Sequence, residues 1–316
     1  MILEIQHETR FDYTEPVKES VTEVHMEPVS DENQTCHSFH LDVGPQTQQF
    51  RYQDGFGNCV HHFDILGAHD HVRILAASLV ETHPRPVDLD RSQAVWPVLL
   101  DSSHLEALDF LPFRGPIQPT PLLDPLMKEL RPAEGTPLGP FVKAVSHYIH
   151  THYQYARDVT LANSPIDHLL QEGKGVCQDF THLMIALLRS FNIPARYVSG
   201  YIHRPKKESQ SHAWCEAWLP DLGWVGVDPT NDCVIHDHFV KVAVGRDFTD
   251  LPPNKGVYRG RGEESISVRV ESRALERLPS LSWQHQLPPL DVPLMAIAGR
   301  ASLAPTPADE ESQQQQ

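Results

Sequence analysis

Cys177 follows "GKGV" and opens the run "CQDFTHLMIALLRSF", in which Phe180, Leu183, Met184, Leu187, Leu188 and Phe191 recur at the spacing of one helix face. The cysteine therefore falls in the first helical turn. Unpaired backbone N–H groups and the helix dipole favour negative charge there, and Lys174 adds to that field. A thiol in that setting is a potential nucleophile, although a lone cysteine serves equally well as a small apolar filler. Downstream, "HAWCEAWLPDLGWVGVDP" has the alternation of a β-hairpin. Ala213, Cys215, Ala217, Val225 and Val227 form one small apolar face; His212, Trp214, Glu216, Trp218, Trp224 and Asp228 form the other. A loop of three or five residues keeps His212 and Asp228 on one face, opposite or diagonal, with Cβ atoms ~5 to 8 Å apart. A carboxylate at that range accepts the imidazole N–H and orients a general base. Read singly, His212 is a sheet histidine and Asp228 a turn residue before Pro229. With Cys177 upstream, the three match the residue types of a nucleophile, a base and an orienting acid. Trp214, Trp218 and Trp224 could line a substrate cleft or pack together beneath a loop.

The elements that must position these groups are legible in outline. Period-2 patterning marks six short strands between residues 2 and 82, with "DGFGN" at 54–58 as a hairpin turn, which suggests a small antiparallel β-domain. Residues 83–137 are rich in proline and read as a linker with a few short helices. "PLGPFVKAVSHYIHTHYQY" then places Phe141, Val142, Val145, Tyr148 and Ile149 on one helical stripe. In "SPIDHLLQEG", Ser164 reads as N-cap, Pro165 as first helical residue, Asp167 as the partner in a capping box and Gly173 as the stop. Strands follow in "ARYVSGYI", the hairpin and "SISVRV" at 265–270. A catalytic unit is expected over 138–280 and a disordered, Pro-rich and then Gln-ending tail over 281–316.

Composition removes several function classes. At 316 residues with 40% hydrophobic content, the chain can bury a sizeable core, yet no apolar run approaches the ~18 residues of a membrane span. A net charge of −16 argues against nucleic acid and anionic membrane as partners. The five cysteines form no C-x-x-C pair and read as free thiols, with Cys215 and Cys233 structural. No signal-peptide pattern opens the sequence, so a cytoplasmic location is expected. Among 20 histidines, the groups His147/His150/His152, His61/His62 and His236/His238 stand close in sequence. None falls in an HExxH or another familiar metal spacing, so no metal is expected. His182 lies off the face of Cys177, and Asp179 complements the helix dipole.

The stretch "GVCQDFTHLMIALLRSFNIPARYVSGY…HAWCEAWLPDLGWVGVDPTND" resembles the bacterial transglutaminase-like proteins, a branch of the papain-like cysteine enzymes, over about residues 141–232. Residues 1–82 resemble the β-rich region that often precedes that domain. The resemblance implies an α+β fold, with an N-terminal antiparallel β-domain before a catalytic domain whose cysteine helix packs on an antiparallel sheet. It implies Cys177 as nucleophile, His212 as base and Asp228 as orienting acid, with no cofactor. The Cys177 backbone N–H is a natural oxyanion donor. Gln171, six residues before the cysteine, has a spacing similar to papain-type proteases, though a helix and Gly173 intervene. Tyr155 lies in a stretch the family places near the site. The function expected is cleavage or transfer of the acyl group of an amide, in a peptide or protein, through a thioester acyl-enzyme. Alternatives are protein cross-linking, acyl transfer to a small molecule, and a non-catalytic binding module. Oligomeric state is not legible.

Overall fold

The structure, a computed structural model, describes residues 1–157, 159–160, 164–205, 210–279 and 296–297. Four strands, rather than six short ones, form the N-terminal region: β1 (Ile2–Val24), β2 (Gln34–Gly44), β3 (Gln49–Gln53) and β4 (Cys59–Thr82). The extra breaks expected from the alternation are bulges. The β1–β4 register shifts between Asp12 and Val17 and again before Glu19, so the pattern changes face while the strand continues. The "DGFGN" turn joins β3 to β4 as expected, with Asp54 Oδ1 accepting the N–H groups of Phe56 and Asn58.

Between the two sheets run α1 (Leu105–Leu108), α2 (Asp124–Glu129), α3 (Leu138–His152), β5 (Gln154–Tyr155), α4 (Ile166–Glu172), β6 (Lys174–Gly175) and α5 (Cys177–Ser190). A second sheet follows, from β7 (Ala195–Ile202), β8 (Gln210–Leu219), β9 (Gly223–Asp228), β10 (Cys233–Val234) and β11 (Phe239–Gly245), in the order β10-β9-β8-β7-β11 and antiparallel throughout. The chain then returns to the first sheet. β12 (Asn254–Arg259) and β13 (Glu264–Leu275) both pair with β1, and β14 (Ala296–Ile297) pairs with β13. The strand expected at 265–270 is therefore twice as long and belongs to the N-terminal sheet, not to the unit over 138–280. Period-2 alternation names a strand but not its partner. Apart from β14, the expectation of a disordered tail lies outside the described residues.

Two local expectations are corrected. α4 starts at Ile166 with Pro165 extended at the cap position and no side-chain cap hydrogen bond, so Ser164 is not its N-cap; the ring that fixes φ suffices for entry. On α3, Phe141, Val142, Val145 and Ile149 are buried, but Tyr148 turns outward to stack on His152 and donate to Glu129.

α5 is buried all round. Phe180, Leu183, Met184, Leu187 and Leu188 are at most 1% exposed, and so are Ile185, Ala186, Thr181 and His182 on its other faces. Each buried aliphatic or aromatic side chain is worth ~1.5–3 kcal/mol, so this helix is the spine of the core. The core is continuous with the first sheet, because Leu3, Ile5, Val80 and Val270 belong to the same cluster. Such continuity fixes the β-domain against the unit that carries Cys177.

Candidate active site

The segment before Cys177 is shaped to present it. Gly173 closes α4 in the left-handed conformation (φ 67°). β6 then pairs in parallel with β5, setting Tyr155 opposite Gly175. A Cβ on Gly175 would stand 2.8 Å from Asp179 Oδ2, so only glycine leaves room for that carboxylate to fold back. Asp179 uses the space. Its Oδ2 accepts the Val176 N–H at 2.8 Å and the Thr160 hydroxyl at 2.7 Å, tying the approach to the first turn. Burial pushes the Asp179 carboxyl above its usual range, and those two bonds oppose the shift. Val176, at the cap position, makes no side-chain cap hydrogen bond, so the amide end of α5 opens beside the partly exposed Cys177.

The β8–β9 register pairs Cys215 with Val227 and Leu219 with Gly223, leaving a three-residue turn. His212 and Asp228 are thereby diagonal neighbours, one of the two placements the hairpin allowed. His212 Nε2 lies 2.7 Å from Asp228 Oδ2, and the imidazole stands near enough to Cys177 for the thiol to help raise its pKa. Asp228 is fully buried. Its Oδ1 accepts the backbone N–H groups of Thr230 (2.8 Å) and Asn231 (3.3 Å), and its Oδ2 also accepts the Asn231 amide. Burial alone would raise its pKa and lower that of His212. Their mutual hydrogen bond and charge reverse both, holding Asp228 below its usual range and, with help from Cys177, raising His212 to about 10. The structure brings Cys177, His212 and Asp228 together in one cluster, with His212 and Asp228 hydrogen-bonded.

The other candidates divide. Tyr155 stands against the site: its ring packs edge-on to Phe180, and burial and the negative charge of Cys177 raise its pKa. Gln171 is exposed on α4, ahead of the turn at Gly173, and makes none of the hydrogen bonds that join the cluster. Trp214 is buried beside His212 with its rings nearly parallel, and packs edge-on to Phe239; it is wall, not open cleft. Gly200 makes space for it, since a Cβ there would meet the indole at 2.6 Å. Trp218 and Trp224 sit at the turn end of the hairpin, on the order of 20 Å from His212 at the ~3.3 Å rise of a strand. Trp218 packs on His104, and Trp224 packs on Phe110 under the Arg196 guanidinium 4.2 Å away. Alternation placed them on the right face but at the wrong end. Cys215 is buried in the core.

Asn231 was not singled out from the sequence. It supplies its amide to Asp228 and accepts from Arg204 at 3.0 Å through Oδ1. Its position three residues after the acid, in "DPTND", is the only signal, and such turns are common without a site.

A helix-terminal cysteine thus stands beside a His–Asp pair on an antiparallel sheet of an α+β fold. Residues 126–229 match the transglutaminase-like superfamily and residues 3–81 the bacterial transglutaminase-like N-terminal region. An uncharacterized protein of Mycobacterium leprae is 33% identical over 294 residues, covering 85% of this chain and 97% of that one. A Pseudomonas aeruginosa protein-glutamine gamma-glutamyltransferase is 28% identical over 151 residues, 43% of this chain and 22% of that protein. The crystal structure of a Cytophaga hutchinsonii protein, described as a candidate cysteine protease, superposes with a TM-score of 0.73 at 23% identity, covering 88% of this chain and 93% of that one. The chain belongs to the bacterial transglutaminase-like family, and the α+β arrangement expected from its sequence is the one it has.

Proposed function

We propose that the protein is a cysteine-dependent amide acyl hydrolase acting on a peptide or protein, with Cys177 as nucleophile, His212 as acid–base and Asp228 as orienting acid. The observation that carries this reading is the sharing of one imidazole between Cys177 and a fully buried carboxylate. With its pKa at about 10, His212 holds a proton at neutral pH. Cys177 attacks the amide carbonyl as the thiolate, and the C–N bond breaks as His212 Nδ1, the ring nitrogen not bonded to Asp228, delivers its proton to the departing amine. A thioester remains. Water, deprotonated by the now neutral His212, attacks the thioester and releases the acid. The developing oxyanion faces the backbone N–H of Cys177, and we assign the second donor to the Tyr155 hydroxyl rather than to the exposed Gln171.

Hydrolysis is preferred because water outnumbers any amine unless a dedicated amine site excludes it. The relative named as a gamma-glutamyltransferase favours a second reading, transfer of the acyl group to a lysine-like amine. Incubation with substrate and a free primary amine separates them: a predominant acid product supports hydrolysis, and a predominant amine adduct supports transfer. A reducing, cytoplasmic setting fits the five unpaired cysteines. Among the described residues, no helix is long and apolar enough to cross a membrane.

The reading is tested by limiting iodoacetamide at pH 6, where an unperturbed thiol of pKa ~8.5 is almost wholly protonated. Burial pushes the thiols of Cys36 and Cys233 up to about 12 and raises those of Cys59 and Cys215. Adducts mapped by mass spectrometry should therefore sit on Cys177 alone. Slow labelling spread over several cysteines would sink the proposal.

A further inference from the structure

Beyond Asp228 the chain forms β10 and a turn that carries His236, Asp237 and His238 in succession. One ligand atom from each of these side chains lies within 4.8 Å of the other two. His236 Nδ1 is 3.6 Å, and His238 Nε2 4.0 Å, from the same oxygen of Asp237. Metal–ligand bonds of ~2.0–2.2 Å require only slightly closer donors, a contraction that side chains this exposed can supply. The tautomers already suit a cation. His238 Nδ1 donates to the His203 carbonyl at 3.0 Å, which leaves Nε2 with its lone pair towards Asp237. This is the outer hydrogen bond that orients ligand histidines. His236 Nδ1 accepts the His238 backbone N–H at 3.4 Å, a long bond that a metal ion would displace to use the same lone pair.

The turn borders a cavity of about 450 Å³ lined also by Cys233, Asn231 and Arg204. There is room for an ion's remaining water ligands. We propose that His236, Asp237 and His238 form a site for a first-row transition-metal dication of the zinc class. Two imidazoles and one carboxylate suit zinc, cobalt, nickel or copper; the all-oxygen sites of calcium or magnesium differ in kind. The ion would anchor the segment that holds the acid of the triad, because Cys233 pairs with Asp228 across β9 and β10 and Asn231 bonds its carboxylate. It is the one His group of the sequence whose ligand atoms converge among the described residues. Sequence spacing did not reveal this, since convergence depends on the turn.

The test uses the full chain without an affinity tag and with Cys177→Ala, so that neither added histidines nor the catalytic thiol competes. Zinc ion alone is titrated by calorimetry, and cobalt ion by its ligand-field absorption. One equivalent should bind. His236→Ala and His238→Ala should each weaken it by more than the ~10–100-fold that loss of an outer partner costs. His71→Ala, in an exposed His–Asp pair of the first sheet, should change nothing. Circular dichroism confirms that each variant is folded. Several weak equivalents indifferent to His236 and His238, or no binding by the folded parent, would overturn the site. The outcome is independent of whether Cys177 is a nucleophile.

Discussion

His212 and His182 are both buried, at 6% and 1% exposure, and lie on elements that touch, yet their surroundings drive them in opposite directions. At the N-terminal end of α5, His212 meets a carboxylate and a thiol and is raised to about 10. Midway along α5, His182 meets the Tyr197 ring and the Phe248 N–H, and burial, with Arg189 nearby, lowers it to about 3. His7, bonded to the Tyr201 hydroxyl in the sheet interface, is lowered by burial to about 4. Burial alone therefore does not raise a histidine's pKa. An anion that outweighs desolvation does, and such an anion must itself be held by donors, as Asp228 is by Thr230 and Asn231.

The contrast can be broken most sharply at His212. His212→Ala should slow alkylation of Cys177 at pH 6 by up to roughly 300-fold, the ratio between a full thiolate and an ordinary thiol at that pH. An unchanged rate would mean that the imidazole does not hold the thiolate. Removing only the anion is the next test. In Asp228→Asn, NMR titration of the His212 ring should show its pKa falling from about 10 towards 6.5; a value that stays near 10 would assign the shift to Cys177 alone.

Trp224→Ala probes the other end of the same hairpin. Loss of a partly exposed ring and its Arg196 contact should cost about 2 kcal/mol of stability, below the 3–5 kcal/mol typical of fully buried aromatics. Cys177 labelling should remain within about twofold; a large drop would place the tryptophan in the working cleft after all.

A last test concerns His182 and reads pH dependence. Its folded pKa lies below its unfolded value of about 6.5, so its neutral burial stabilises the fold above that pH and the contribution is lost on acidification towards 3. His212 has the opposite sign: its contribution is complete below pH 6.5 and is lost as pH rises through about 10. Urea unfolding between pH 4.5 and 6 should show a slope reduced by about 1.4 kcal/mol per pH unit in His182→Leu. An unaltered slope would show that His182 is not the neutral group described.

The legible part of the site was the part governed by local periodicity. Helical spacing after Cys177 and alternation around His212 and Asp228 constrain which side chains share a face, and the diagonal His–Asp contact was one of two geometries that alternation permits. Trp218 and Trp224 satisfied the same alternation and pack at the turn end, the second of the two readings, because period 2 carries no information about distance along the strand. Six apparent strands became four because a bulge reverses the face without ending the strand. Asn231 gave no signal, and His236 with His238 stood close in sequence without a metal spacing, because local period does not encode what irregular backbone brings together.

By itself the sequence determined a helix that starts at Cys177, a hairpin whose polar face carries His212 and Asp228, and an α+β chain with a β-rich beginning. Those properties follow from side-chain period and from which residues tolerate a first turn or a tight loop. Only the tertiary structure decided that α5 is buried on every side, that β12 and β13 return to the first sheet, and that the two halves share one core through Leu3, Ile5, Val80 and Val270. It also decided the charge state of each buried histidine. Strand partnership, desolvation and the proximity of a carboxylate are set by contacts between residues far apart in the chain, and no local pattern encodes them.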